Sequence, residues 1–220
     1  MQTLDRTEQR IVGVLIEKQL AVPDSYPMTE NALVDGCNQK SNREPVTEYE
    51  SFQIAGALMS LQEKGWVARV EGGGRATKFK HRAGEVAAAD GKDLAVLAEL
   101  LLRGPQAAGA LKTRVARMGL HGTPEEIEAR LRGLAGRHLV EQLPLGPRER
   151  DRRWRHLVGD GSEAQDHGLD AEAALAPAPA HVAAAPMAGP DLAARVARLE
   201  QQVAELQQAL ANLQATGRQG

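Results

Sequence analysis

Residues 146–156, GPRERDRRWRH, set Arg148, Arg150, Arg152, Arg153 and Arg155 around a single Trp154. Guanidinium groups on an exposed hairpin suit phosphate oxygens, because the planar fork of donors matches two oxygens at once. In an extended strand the side chains alternate, so Trp154 and His156 share one face and Arg153 and Arg155 the other. Trp154 is expected to pack inward. Lys112, Arg114 and Arg117 precede this run, with Arg130 and Arg132 between, and together they are candidates for one basic, nucleic-acid-binding surface. The alternative is a solvated hairpin in which Glu149 and Asp151 neutralise part of the charge.

A second polar cluster, CNQKSNREPV at 37–46, offers amide and cationic donors from Asn38, Gln39, Lys40, Asn42 and Arg43. They could serve a ligand or a partner. Equally, Asn and Ser form turns by themselves, and Arg43 could pair with Glu44 or Glu17. Other chemistry finds little support. The lone Cys37 cannot form an internal disulfide and fits a reducing cytoplasm, and the six histidines lack metal-ligand spacing. Neither a metal nor a cofactor is expected, and no catalytic residues are assigned. EGGGR at 71–75 lacks the phosphate-cradle spacing and reads as a hairpin loop. Glu17 and Lys18 read as the solvated face of a helix.

The elements that must position these residues occur twice. Ile54, Leu58, Leu61 and Val67 recur as Ile127, Leu131, Leu134 and Val140. In each set the first three positions form one apolar helix stripe, and the fourth follows a basic residue, Lys64 or Arg137. Asp5 with Glu8 opens a first helix, Thr29 a second, and Thr47 with Glu50 a third that runs to residue 64. Strands are expected over 66–70 and 77–81. The second copy places helices at 94–103, at 107–118 and from Thr123, then strands at 139–143 and 153–158. Three helices followed by a hairpin is the winged helix-turn-helix order. The expected fold is mainly α with small β-hairpins (α+β), with winged-helix domains at 4–82 and 91–158; the alternative is two generic α+β domains.

Charge divides the copies. Residues 1–90 hold 11 Lys+Arg against 13 Asp+Glu, whereas residues 101–160 hold 12 against 7. An anionic partner is therefore expected at the second copy. Residues 161–190 are Ala- and Pro-rich and read as a linker. Leu192, Val196, Leu199, Val203, Leu206, Leu210 and Leu213 then follow a 4-3 spacing, a heptad seam over 191–214 that favours a parallel homodimer. The alternative is an amphipathic helix folding back on its own chain. No apolar run approaches the roughly 18 residues of a membrane span, and no secretory signal is read at the start, so a cytoplasmic protein is expected.

The segments LIEKQ (15–19), YPMTENALVDGCNQKSNREPV (26–46), LLLRGPQAAGALKTRVARM (100–118) and RDRRWRHLV (150–158) closely resemble the bacterial YceH family. The resemblance covers roughly residues 4–158. It implies a pair of tandem winged-helix domains of uncharacterised function and supplies no active site. The first functional expectation is a dimeric, regulatory, DNA-binding protein whose second repeat contacts phosphates. The rival is a winged-helix scaffold that binds another protein and leaves DNA alone, favoured by the acidic TEYESFQ (47–53) with which the third helix is expected to begin.

Overall fold

Asp5 and Glu8 start the first helix by a reciprocal cap. The Asp5 carboxylate accepts from the Glu8 amide at 2.9 Å, and Glu8 Oε2 accepts from the Asp5 amide at 2.7 Å. Helix α1 then runs Arg6–Ala21. The computed structural model describes residues 2–70, 76–147 and 149–161. Arg148, the glycine loop 71–75, most of the 161–190 linker and the 191–214 seam from Leu192 to Leu213 lie outside the described residues.

A two-residue strand, β1 (Met28–Thr29), leads into α2 (Glu30–Cys37), capped by the Thr29 hydroxyl. Then come α3 (Ser51–Glu63), β2 (Val67–Val70), β3 (Lys78–His81) and the one-turn α4 (Ala83–Val86). The second copy is α5 (Gly91–Arg103), β4 (Gln106–Ala107), α6 (Ala108–Val115), α7 (Pro124–Gly136), β5 (Val140–Gln142) and β6 (Arg153–His156). Each copy forms a three-stranded antiparallel sheet, ordered β1-β3-β2 and β4-β6-β5. The described residues are thus α+β, with helices dominating. Strands β1 and β4 complete the sheets and are additional to the hairpins read from sequence.

Matching positions carry matching roles. Helices α3 and α7 are both 13 residues long, are followed by the basic C-cap residues Lys64 and Arg137, and bury Ile54, Leu58, Leu61 and Ile127, Leu131, Leu134. The chain leaves both helices through a left-handed residue, Gly65 at φ 76° and His138 at φ 56°. Glycine adopts that conformation without penalty, whereas the histidine bears the Cβ crowding.

One helix starts later than its sequence suggests. The expected cap at Thr47 does not form, and α3 begins at Ser51 with Glu50 at its cap position. Asn38 is the reason: its side-chain amide donates to Tyr49 O at 2.7 Å, and its carbonyl accepts from Tyr49 N at 2.7 Å. This side chain satisfies both backbone groups of Tyr49 as a neighbouring strand would, holding residues 45–50 out of the helix. The Thr47 hydroxyl turns to Cys37 O at 3.2 Å instead.

The two copies share one hydrophobic core within a single unit, Met1–Asp170. Helices α1 and α5 pack together at its centre. At Gly13 an added Cβ would lie 3.0 Å from Leu102 Cδ2, so the close approach there requires the missing side chain. Because α1 packs against α2, α3 and α5, residues 8–17 are buried without interruption. Glu17 is therefore buried and not on a solvated face, a correction to the sequence reading. No helix among the described residues is long and apolar enough to cross a membrane.

Candidate interaction surface

The polar turn after α2 is built into the junction of the two copies. Arg43 is buried: its Nε donates to Gly36 O at 2.9 Å, and Nη2 meets Glu17 Oε2 at 2.6 Å. Arg117 joins from the second copy, pairing with Glu17 and, at 2.9 Å, with Glu99 Oε2. Arg103 lies 3.2 Å from Glu99 Oε1 and donates to Asn42 Oδ1 at 3.0 Å. Burial alone would raise the Glu17 carboxyl, but hydrogen bonds and charge from Arg43, reinforced by Arg117, hold it below its ordinary value. Gln39 accepts from Arg43 at 3.3 Å and donates to Ser41. Of the five turn residues singled out, Lys40 alone is exposed, and the polar groups of the other four bind within the chain.

The arginines of the second copy are similarly engaged. Arg130 pairs with Asp93 at 2.9 Å and reaches Asp90 at 3.4 Å. Arg153 lies 2.6 Å from Glu149, and Arg155 pairs with Glu141 on the adjacent strand. Arg114 donates to the side chain of Gln106. Arg132 is exposed and 3.5 Å from Glu128, and Lys112, Arg150 and Arg152 are exposed. Trp154 and His156 face inward as expected from alternation, and Trp154 Nε1 donates to Glu128 Oε2 at 3.0 Å. The structure therefore scatters the predicted cations: those on α7 and β6 sit beside carboxylates, and those left outward are on α6, on α7 and in the wing loop. Cys37 is buried, and burial pushes its thiol up to about 12, so it stays protonated at neutral pH.

The most unusual surface was not read from sequence. On α3, Phe52 is 70% exposed and Met59 65% exposed. With Gly56 and Glu63 they follow i, i+4, i+7, i+11 spacing, a single outward stripe. Nothing lies within 4 Å of a Cβ built at Gly56, so a shallow notch separates the two large side chains. Val46, 53% exposed, precedes the helix, and exposed Glu48, Glu50 and Glu63 stand at the two ends of the stripe. The corresponding positions of α7 are Glu125, Ala129, Arg132 and Gly136, so the second copy has no such face. A helical pattern with two large apolar residues on its polar side was the available signal.

A family model described as "Protein of unknown function, DUF480" matches residues 4–149. The chain is 44% identical over 164 residues to a UPF0502 protein of Geobacter metallireducens, covering 74% of this chain and 75% of that one. It is 38% identical over 203 residues to a UPF0502 protein of Citrifermentans bemidjiense, covering 91% and 88%. A UPF0502 protein of Cupriavidus metallidurans is 39% identical over 207 residues, covering 92% and 84%.

Proposed function

The chain belongs to the DUF480 family, and from its surface chemistry we propose that it is a tandem winged-helix module that docks another protein through the outer face of α3. In a winged-helix domain the helix before the hairpin is the one that enters a DNA groove, and groove readers present Arg, Lys, Asn or Gln. Here that helix presents Phe52 and Met59 between acidic ends. Carboxylates there repel phosphates, while exposed Phe and Met suit a protein partner. The acidic rim calls for an apolar segment bearing Lys or Arg.

The observation that carries this reading is the exposed Phe52–Met59 stripe. Selection of random displayed peptides on the full chain is expected to enrich sequences that combine basic residues with one or two large apolar anchors. Phe52→Asp is expected to abolish that enrichment; enrichment indifferent to the substitution would overturn the reading. Phe52 is exposed, so its replacement should leave the fold intact.

DNA contact is the second reading. It is favoured by one observation, the exposed Lys112, Arg132, Arg150 and Arg152 of the second copy. Four outward cations provide salt-sensitive, sequence-independent attraction at best. This reading expects nucleic-acid adducts on photo-crosslinking from position 150, and none with protein from position 52.

A further inference from the structure

The second copy also leaves one large apolar side chain in the open. Leu145 is 50% exposed, the one exposed large hydrophobic of that copy among the described residues. It stands in the wing loop, 143–152, between β5 and β6. The loop is held in shape. The Leu143 amide donates to Arg153 O at 2.7 Å and closes its base. The Glu149 amide donates to Gly146 O at 3.1 Å, and Glu149 Oε2 accepts from the Gly146 amide at 3.2 Å. Pro144 and Pro147 flank Leu145 in sequence and fix two more backbone angles. A side chain presented on such a loop loses little freedom when it docks.

We propose that the α3 face of one chain receives this wing loop from a second copy, in a head-to-tail contact. The inference rests on the docking reading of α3 and names its occupant. Charge is the first argument. Arg150 and Arg152 of the loop are exposed, and neither pairs with a carboxylate among the described residues. Two carboxylates share the loop. Glu149 is already matched by Arg153 at 2.6 Å, and exposed Asp151 offsets part of the outward charge. Two outward arginines against one outward aspartate leave the loop basic. On α3 the signs are reversed. Exposed Glu48 and Glu63, at the two ends of the stripe, have no cation partner among the described residues. Lys64, next to Glu63 in sequence, is bound to Glu8 at 2.6 Å.

Shape is the second argument. Phe52 and Met59 are about 10 Å apart along the helix axis, at roughly 1.5 Å per residue. The open notch at Gly56 between them has room for a branched aliphatic side chain. Leu145 seated there would take three exposed apolar side chains out of water together. Like-with-like pairings fail on charge. Two α3 faces would set Glu48 and Glu63 against their own counterparts, and two wings would set arginine against arginine. The contact joins two different patches, so each chain has one face that receives and one that inserts.

The test mixes two forms of the full chain. The light form carries a photoreactive phenylalanine analogue at position 52; the other is unmodified and isotopically heavy. Irradiation of the equilibrated mixture is expected to join light position 52 to heavy peptides from 143–152, and the mass difference marks the adduct as intermolecular. Arg150→Glu with Arg152→Glu in the heavy chain is expected to lower the yield about tenfold. Adding Glu48→Lys and Glu63→Lys to the light chain is expected to recover most of it. All four residues are exposed, and recovery on reversing both sides is not something a folding defect produces. Light–heavy adducts at other positions, no such adduct, or no recovery on double reversal would overturn the proposal. Peptide enrichment that depends on Phe52, without a light–heavy adduct, would strike this occupant and leave the α3 face to a different protein. Loss of both would strike the face itself.

Discussion

Replacing Glu17 by alanine is expected to cost about 3–5 kcal/mol of unfolding free energy, the usual penalty for stranding one partner of a buried ion pair. The Arg43 side chain is 0% exposed, and Glu17 is the carboxylate it pairs with among the described residues. Without it, Arg43 keeps hydrogen bonds to Gly36 O and Asn42 O but lies buried as an uncompensated charge. Arg117 loses one of its two carboxylates and retains Glu99. A domain of this size has about 5–15 kcal/mol to lose, so the variant should be near the limit of folding. Urea unfolding measures the loss. Combining Glu17→Met with Arg43→Met is expected to recover much of it, because an apolar pair of similar volume need not be destabilising. A loss below about 1 kcal/mol for Glu17→Ala would mean that Arg43 is solvated in the native protein.

Stability is also expected to fall as pH drops from 6.5 towards 4, by about 1–3 kcal/mol, through His81. The ring is held neutral by its neighbours. Nδ1 accepts from the Ala83 amide at 3.2 Å, so Nε2 carries the proton and donates to Gln19 Oε1 at 2.5 Å. The Tyr26 ring lies beside it, with centroids 5.8 Å apart. A proton added at Nδ1 would point at an N–H group, and burial pushes the imidazole down to about 4. The folded value lies below the unfolded one, so this contribution is complete above pH 6.5 and is lost as pH falls through about 4. In between, only the unfolded chain takes up the proton. Glu17 adds a separate, more acidic limb: its carboxyl is depressed in the fold, so its contribution is present above the unfolded carboxylate pKa and disappears as pH falls through the folded value. His81→Gln is expected to flatten the slope between pH 6.5 and 4 and to leave the acidic limb. An unchanged slope in that variant would show that the His81 ring already protonates freely in the native state.

Local signals carried much of the fold. The caps at Asp5, Thr29 and Thr123 bind the amides expected of them, and the duplicated stripes from Ile54 and Ile127 are buried. Strand alternation placed Trp154 and His156 inward. The errors share a cause, because each depends on a partner distant in sequence. Thr47 looks like a cap until Asn38 claims the backbone of Tyr49. Glu17 looks solvated until α5 and Arg117 cover it. Strands β1 and β4 are two residues each, too short to show alternation. The arginine-rich run at 146–156 was read correctly as hairpin, but its net charge was misleading, because Glu141 on the neighbouring strand neutralises Arg155.

The docking face is most directly tested by photo-crosslinking in living cells, with a photoreactive phenylalanine analogue placed at position 52 and, in a separate chain, at position 150. Protein adducts from position 52 whose contact peptides are basic and apolar, with no nucleic-acid adduct from position 150, are the expected result. Nucleic-acid adducts from position 150 with no protein adduct from position 52 would contradict the docking role and return the chain to DNA.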